Sequence, residues 1–132
     1  MEYDFITSYF TRDFNCSAVK VEKLRNRAVQ KKFLTELKLA CEKHKDKSLT
    51  QLVKLLFHGS KNTKPDIIIN GSQGLDMRFS HKGLFGEGIY FADDPNYSDA
   101  YAHLPEPTNP KVKQMFLVFV LIGEPCEMMH SD

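Results

Sequence analysis

Leu56-Phe57-His58-Gly59-Ser60 and Gly86-Glu87-Gly88-Ile89-Tyr90-Phe91-Ala92 are the two stretches that decide how the chain is read. The first closes a compact apolar run, Leu52 to Phe57, of strand length. His58-Gly59-Ser60 therefore falls at a strand end, where side chains and free backbone groups can face a cleft. Gly59 has no side chain, so a planar ligand can come close to its N–H and C=O, and Ser60 adds a hydroxyl. In the second stretch two glycines open a short apolar strand, Gly88 to Ala92, that carries Tyr90. Asp94-Pro95-Asn96 then starts a helix through Tyr97 to His103, with Ser98 and Tyr101 on one face at i, i+3 spacing.

Working outward, Ser17 to Leu24 alternates apolar and polar residues as a half-buried strand does. Asn26 is placed to cap a helix on which Val29, Phe33, Leu37 and Cys41 share a face, and His44 to Lys47 reads as its frayed end. Thr63 caps a short helix with Pro65 in its first turn and Gly71 as its stop. Leu75 to Glu87 lacks a period and reads as a loop, and Pro105, Pro107 and Pro110 make a second, stiff one. Met115 to Ile122 is apolar on both faces, which predicts a central buried strand. Such a strand needs neighbours on both sides, yet the chain stops ten residues later. Short strands mixed with helices predict an α+β domain.

At 132 residues the chain makes one small domain, with no repeat, low-complexity tract or linker. The longest apolar run, Met115 to Ile122, is far short of a membrane span. The start, Met-Glu-Tyr-Asp-Phe, lacks the pattern of a secretory signal. Cys16, Cys41 and Cys126 form no Cys-x-x-Cys pair, which argues for a reducing compartment and against zinc, so an intracellular location, cytoplasmic or nuclear, is expected. The net charge of +1 is unevenly spread: Lys20 to Lys47 holds ten basic and four acidic residues, a local +6, leaving −5 elsewhere. That segment would suit nucleic acid or another acidic partner. With no aromatic-interleaved basic motif beside it, a solvated helix face is the favoured reading.

Two tyrosines, a histidine and a glycine backbone suit a flat aromatic ligand bearing a polar amide, sandwiched by rings and oriented by backbone groups. No Gly-x-Ser-x-Gly elbow or Gly-Lys-Ser/Thr phosphate loop is present, and Gly86-x-Gly88 leads into a strand with Phe91 at the third glycine position. Asp93-Asp94, without further oxygen ligands, reads as a turn and helix cap rather than a metal site. Each residue also has a plain structural alternative: His58 as a hydrogen-bonded strand-end residue, Tyr90 as core, Tyr101 as a helix residue with its hydroxyl in water.

Taken in order, Leu56 to Ser60, Gly74-Leu75, Phe85 to Ala92, Ser98 and Tyr101 resemble the catalytic domain of the poly(ADP-ribose) polymerase family. Weaker similarity reaches Lys20 to Asn26 on one side and Leu117 to Gly123 on the other. The resemblance implies one ADP-ribosyltransferase catalytic domain over residues 1–132, with two packed, mostly antiparallel sheets, flanking helices, and the last C-terminal strands lacking. Those strands would be left for another chain to supply. It implies NAD as co-substrate and no metal. His58 would bond the adenine-side ribose, Gly59 and Ser60 the nicotinamide carboxamide, and Tyr101 would stack on the nicotinamide ring with Tyr90 closing the other side. Arg78, in the loop over the donor, would lie near the pyrophosphate, and Ala92 and Ser98 would complete the cofactor contacts. His58 and Tyr90 are the catalytic candidates. Cleaving the nicotinamide–ribose bond develops a cationic ribose, so the protein need only orient the donor, polarise that bond and exclude water.

Chain-elongating members carry a glutamate on a later strand, for which neither Glu124 nor Glu127 is a match. Tyr97 stands where elongating members tend to have lysine, and Asp76-x-Arg78 resembles the monotransferase branch. The expected function is transfer of a single ADP-ribose to a protein side chain, with the chain itself among the acceptors. A binding module that keeps the pocket without cleaving NAD, and a nucleic-acid-modifying or -binding protein, are the alternatives.

Overall fold

The computed structural model describes residues 20–127. Helix α1 spans Arg27–Lys43 and begins at Asn26, whose side-chain oxygen accepts from the Val29 N–H at 3.2 Å. The same side chain donates through its amide nitrogen to the carbonyls of Ile69 (3.0 Å) and Gly71 (2.7 Å). One residue thus caps a helix and fastens it to a loop more than forty positions away. Val29, Phe33 and Leu37 lie half-buried as the stripe predicts, but Cys41 is exposed. Four-residue steps rotate the stripe by about 40° each, so Ala40 and His44 continue the buried side instead.

The segment expected to fray is a fastened turn. The His44 N–H donates to Ala40 and the Lys47 N–H to His44. Lys47 Nζ lies 2.9 Å from Glu124 Oε1 and His44 Nδ1 lies 3.5 Å from it. The hydrogen bond from the Lys47 ammonium holds the Glu124 carboxyl below its ordinary pKa. A one-turn helix, α2 (Leu49–Leu52), follows and has no counterpart in the sequence reading. It delivers Leu52, fully buried, into strand β1 (Val53–His58).

β1 pairs antiparallel with β4 (Phe116–Leu121) from Val53↔Leu121 to His58↔Phe116. On its other side Phe57 exchanges two hydrogen bonds with Ala92, at 2.7 and 3.0 Å. The strand with partners on both sides is therefore β1, and this corrects the expectation for β4. Among the described residues β4 pairs with β1 alone, and Phe119 is 65% exposed. Both faces of β4 are apolar, but half-buried rather than central.

Further differences are local. The strand expected over Ser17 to Leu24 lies outside the described residues up to Val19, and Lys20 to Leu24 join no ladder. Helix α3 (Pro65–Ile69) has Lys64, not Thr63, at its cap, with Pro65 in the first turn as expected. The stretch read as a loop contains a 3₁₀ turn, Met77–Phe79, and a hairpin of β2 (His81–Gly83) and β3 (Gly86–Gly88). β3 thus begins two residues early and stops where the expected strand began; Ala92 makes only its bridge to Phe57. In the hairpin turn, Leu84 and Phe85 keep negative φ, and Gly86 at φ 100° takes the left-handed step that lets the strands meet.

Helix α4 (Pro95–Asp99) is capped by Asp94, which accepts from the Asn96 N–H at 2.8 Å. It ends short of His103 because His103 exchanges backbone hydrogen bonds with Gln114, closing the proline loop at its base. Lys113, paired with Asp99 at 2.9 Å, reinforces the closure. The architecture is α+β: two small antiparallel sheets with flanking helices. Leu52, Phe57, Ile68 and Ala102 form the buried hydrophobic core among the described residues. Among the described residues no helix is long and apolar enough to cross a membrane.

Asn26 makes three hydrogen bonds from a half-buried position. Asn26→Ala removes the cap and leaves two carbonyls to find other donors, so a loss of about 1–2 kcal/mol is expected. Urea unfolding of the two proteins measures it; an unchanged midpoint would show that water replaces all three bonds.

Candidate functional site

β1 ends at His58, which is only 3% exposed. Its Nδ1 lies 2.8 Å from the Tyr90 carbonyl oxygen. A carbonyl only accepts, so Nδ1 carries the hydrogen, and in the neutral ring Nε2 is an acceptor. Burial pushes the His58 pKa below its ordinary 6.5, and the charge of nearby His81 adds to that, against the opposing pull of the Tyr90 carbonyl. His58 is accordingly neutral at pH 7, with a hydrogen-bond acceptor at Nε2. The Phe91 ring lies 5.3 Å from it, tilted by 46°.

Gly59 passes against the turn that follows α4. A Cβ built on it would collide with the carbonyl carbon and oxygen of Tyr101 and lie 2.7 Å from the Ala102 nitrogen. Only glycine allows that approach, and it brings the strand end and the Tyr101 backbone into direct contact. Ser60, 7% exposed, has a buried Oγ with no hydrogen-bond partner among the described residues. Buried hydroxyls are usually satisfied, so this one fits the edge of a polar ligand.

The Tyr90 hydroxyl donates to the Gly86 carbonyl at 2.6 Å and accepts from the Phe85 N–H at 3.2 Å, stapling the hairpin turn. Its ring is 4.8 Å from that of His81, which in turn is 5.6 Å from Tyr101, stacked at 28°. Tyr97 lies 5.6 Å beyond Tyr101. Burial raises the Tyr97 phenol above its ordinary value, assisted by the neighbouring Tyr101. Ser98, 3% exposed, accepts from the Tyr101 N–H through its carbonyl.

Of the residues singled out from sequence, His58, Gly59, Tyr90, Ala92, Ser98 and Tyr101 are joined by these contacts, with Ser60 next in chain. Arg78 is apart from them. Its Nε lies 2.9 Å from Asp76 Oδ1, its guanidinium sits 5.1 Å from the Phe79 ring centre, and it is 62% exposed. The Arg78 hydrogen bonds hold the Asp76 carboxyl below its ordinary pKa. His81 and Phe91 were not singled out. A ring-bearing, titratable residue five positions before Gly86 is the signal for His81 in the sequence.

These features define an α+β domain whose candidate site is a strand end, a bare glycine backbone and two tyrosines. The sequence model described as the poly(ADP-ribose) polymerase catalytic domain matches residues 1–132. A probable poly(ADP-ribose) polymerase of Dictyostelium discoideum is 33% identical over 124 residues, covering 92% of this chain. The chain spans about a third of that relative's length, 36%. The chain belongs to the poly(ADP-ribose) polymerase catalytic-domain family.

Two expectations follow from the geometry. Gly59→Ala forces backbone away from backbone, at a cost of roughly 3 kcal/mol or more, and should lower the melting temperature sharply; a melt within a degree of the parent would show that the α4 turn yields freely. For His58 the unfolded state binds more protons wherever pH lies below 6.5 and above the depressed folded value. Stability from this group is therefore complete above the ordinary value and is lost as pH falls through the folded one. A melting profile from pH 8 to about 5 should decline on the acid side, and His58→Gln should flatten that decline. Superimposable profiles would mean that His58 does not govern it.

Proposed function

We propose that this chain transfers ADP-ribose from NAD to a protein side chain and releases nicotinamide, one unit per acceptor. The observation that carries this reading is the junction of Gly59 with the Tyr101 backbone, beside a His58 ring fixed on the Tyr90 carbonyl. The residues fit the donor: a backbone approach that any Cβ would fill, a buried hydroxyl without a partner, and tyrosine rings nearby. The family membership and the probable polymerase relative support it.

In this reading His58 Nε2 accepts from a hydroxyl of the adenine-side ribose, since Nδ1 is already committed to Tyr90. Gly59 offers its N–H and C=O to the carboxamide, and Ser60 and Ser98 add polar contacts at its edge. Tyr101 supplies a ring face for nicotinamide and Tyr90 bounds the opposite side, next to Ala92. Arg78 turns from Asp76 towards the pyrophosphate. Bound NAD supplies a glycosidic bond to an electron-poor ring, whose cleavage leaves the ribose carbon open to the acceptor. The protein's own part is to orient that bond and shut out water, which demands no nucleophile from the chain. Tyr97 at the position of the elongating members' lysine, together with Asp76-x-Arg78, favours one unit over a polymer.

Intact mass after incubation with NAD and a mixture of candidate acceptor proteins tests the reading. Addition of one ADP-ribose per modified site is expected, falling at least about 100-fold in rate in His58→Ala and Tyr101→Ala. Undiminished labelling in both variants would refute the site assignment. Nicotinamide binding with no transfer would replace the enzyme by a binding module, and long chains would replace single-unit transfer by elongation.

A further inference from the structure

His81 contacts both tyrosines assigned to the nicotinamide. Its centroid lies 4.8 Å from Tyr90 and 5.6 Å from Tyr101, at interplanar angles of 34° and 28°. Those are the separations and tilts of offset aromatic packing. A five-membered heteroaromatic ring thus uses the tyrosine surface that a flat ligand would need. Ring faces engaged by His81 are not open to a second ring.

The element that carries His81 is lightly held. β2 and β3 form only three pairs, from His81↔Gly88 to Gly83↔Gly86. Residues 82 to 87 of this hairpin are all exposed, and three of its eight positions are glycine. A two-stranded hairpin of this size is marginal on its own. It is fastened by the Tyr90 hydroxyl at its turn, the Tyr90 ring against Gly83, the Ser80–Glu87 hydrogen bond at 3.3 Å and the His81 ring at its base. The imidazole can therefore leave the tyrosines while the staple at the turn stays made.

We propose that the His81 side chain is a built-in occupant of the Tyr90–Tyr101 aromatic site, which a nicotinamide ring enters only by displacing it. The proposal rests on the reading of that site as the nicotinamide subsite, and it adds a self-blocking contact to it. The apparent dissociation constant of a ligand that needs the vacated site is its intrinsic constant divided by the fraction of molecules with His81 out. Removing the ring raises that fraction to one, so affinity rises without any new contact. A substitute ring of similar shape restores the block.

Free nicotinamide is the probe, titrated into the whole chain and its His81→Ala and His81→Phe variants, with melting curves to establish that each is folded. Affinity is expected to rise about 3- to 10-fold in His81→Ala and to stay at or below the parent's in His81→Phe. In parallel, the His81 ring protons, shifted by the tyrosine ring currents in the free protein, should move towards their solvent-exposed positions as nicotinamide binds. Equal affinity in all three proteins, with His81 signals unmoved, would overturn the self-blocking contact and leave the nicotinamide site standing. Weaker binding in His81→Ala would overturn it too, by making His81 part of the ligand platform. Binding in none of the three proteins would overturn the site reading, and the proposal with it.

Discussion

Strand β1 is hydrogen-bonded on both sides, to β4 along its whole length and to Ala92 through Phe57. The His58–Tyr90 part of the candidate site hangs from that arrangement. The Phe57–Ala92 bridge fixes how far the Gly86 to Ala92 stretch can move, and so places the Tyr90 carbonyl where His58 can reach it. Phe57 is 2% exposed and anchors the bridge from inside the core. A strand end held on both flanks is also what makes a close approach at Gly59 tolerable. The backbone at Gly59 must pass the turn after α4 without a side chain in the way.

The bond between His58 and Tyr90 couples two roles that a less constrained site would keep separate. Fixing Nδ1 on a carbonyl settles the tautomer and leaves Nε2 as the free acceptor. Burial then keeps the ring neutral, so the acceptor persists at physiological pH. Tyr90 serves both ends of its segment: its carbonyl orients His58, and its hydroxyl staples the hairpin turn at Phe85 and Gly86. The residue therefore sets the position of the hairpin relative to the strand end, whatever its ring does for a ligand.

What could be read from sequence was chemistry that acts locally. Asn26 and Asp94 cap helices because a short polar side chain reaches N–H groups two or three residues on, and both do so here. Strand β1 and its His58-Gly59-Ser60 end were legible because an apolar run followed by glycine has few other uses. What was hidden depends on partners far along the chain. The tie from Asn26 to Ile69 and Gly71, the Lys47–Glu124 pair that turns an expected frayed end into a fastened one, and the contact of Gly59 with Tyr101 are all of this kind. The β2–β3 hairpin was missed for a different reason. It has no hydrophobic alternation, and its stability comes from a glycine at φ 100° and a tyrosine hydroxyl several residues away. The rank of β1 over β4 was inverted because apolar residues on both faces of β4 signal burial, but burial needs neighbours that the described residues do not supply.

The contrast between how firmly the two halves of the site are held gives it a direction. His58, Gly59, Ala92 and Ser98 rest on the core, through ladder bonds, burial or backbone contact. The His81 and Tyr101 side chains are less enclosed: one on a three-pair hairpin, the other 37% exposed, although the Tyr101 backbone is held against Gly59. A ligand whose polar edge engages the Gly59 backbone meets groups that are already in place and need no ordering. The same ligand's ring face meets side chains whose positions it must compete for. In the proposed reading, recognition of the amide edge would be pre-organised and recognition of the ring conditional. A ligand with the ring alone would have to displace His81 with no fixed polar contact to offset the loss, whereas one with both parts starts from the rigid side. Under the proposed reading, selectivity for an aromatic amide over a bare aromatic ring would follow from which half of the site the fold holds still.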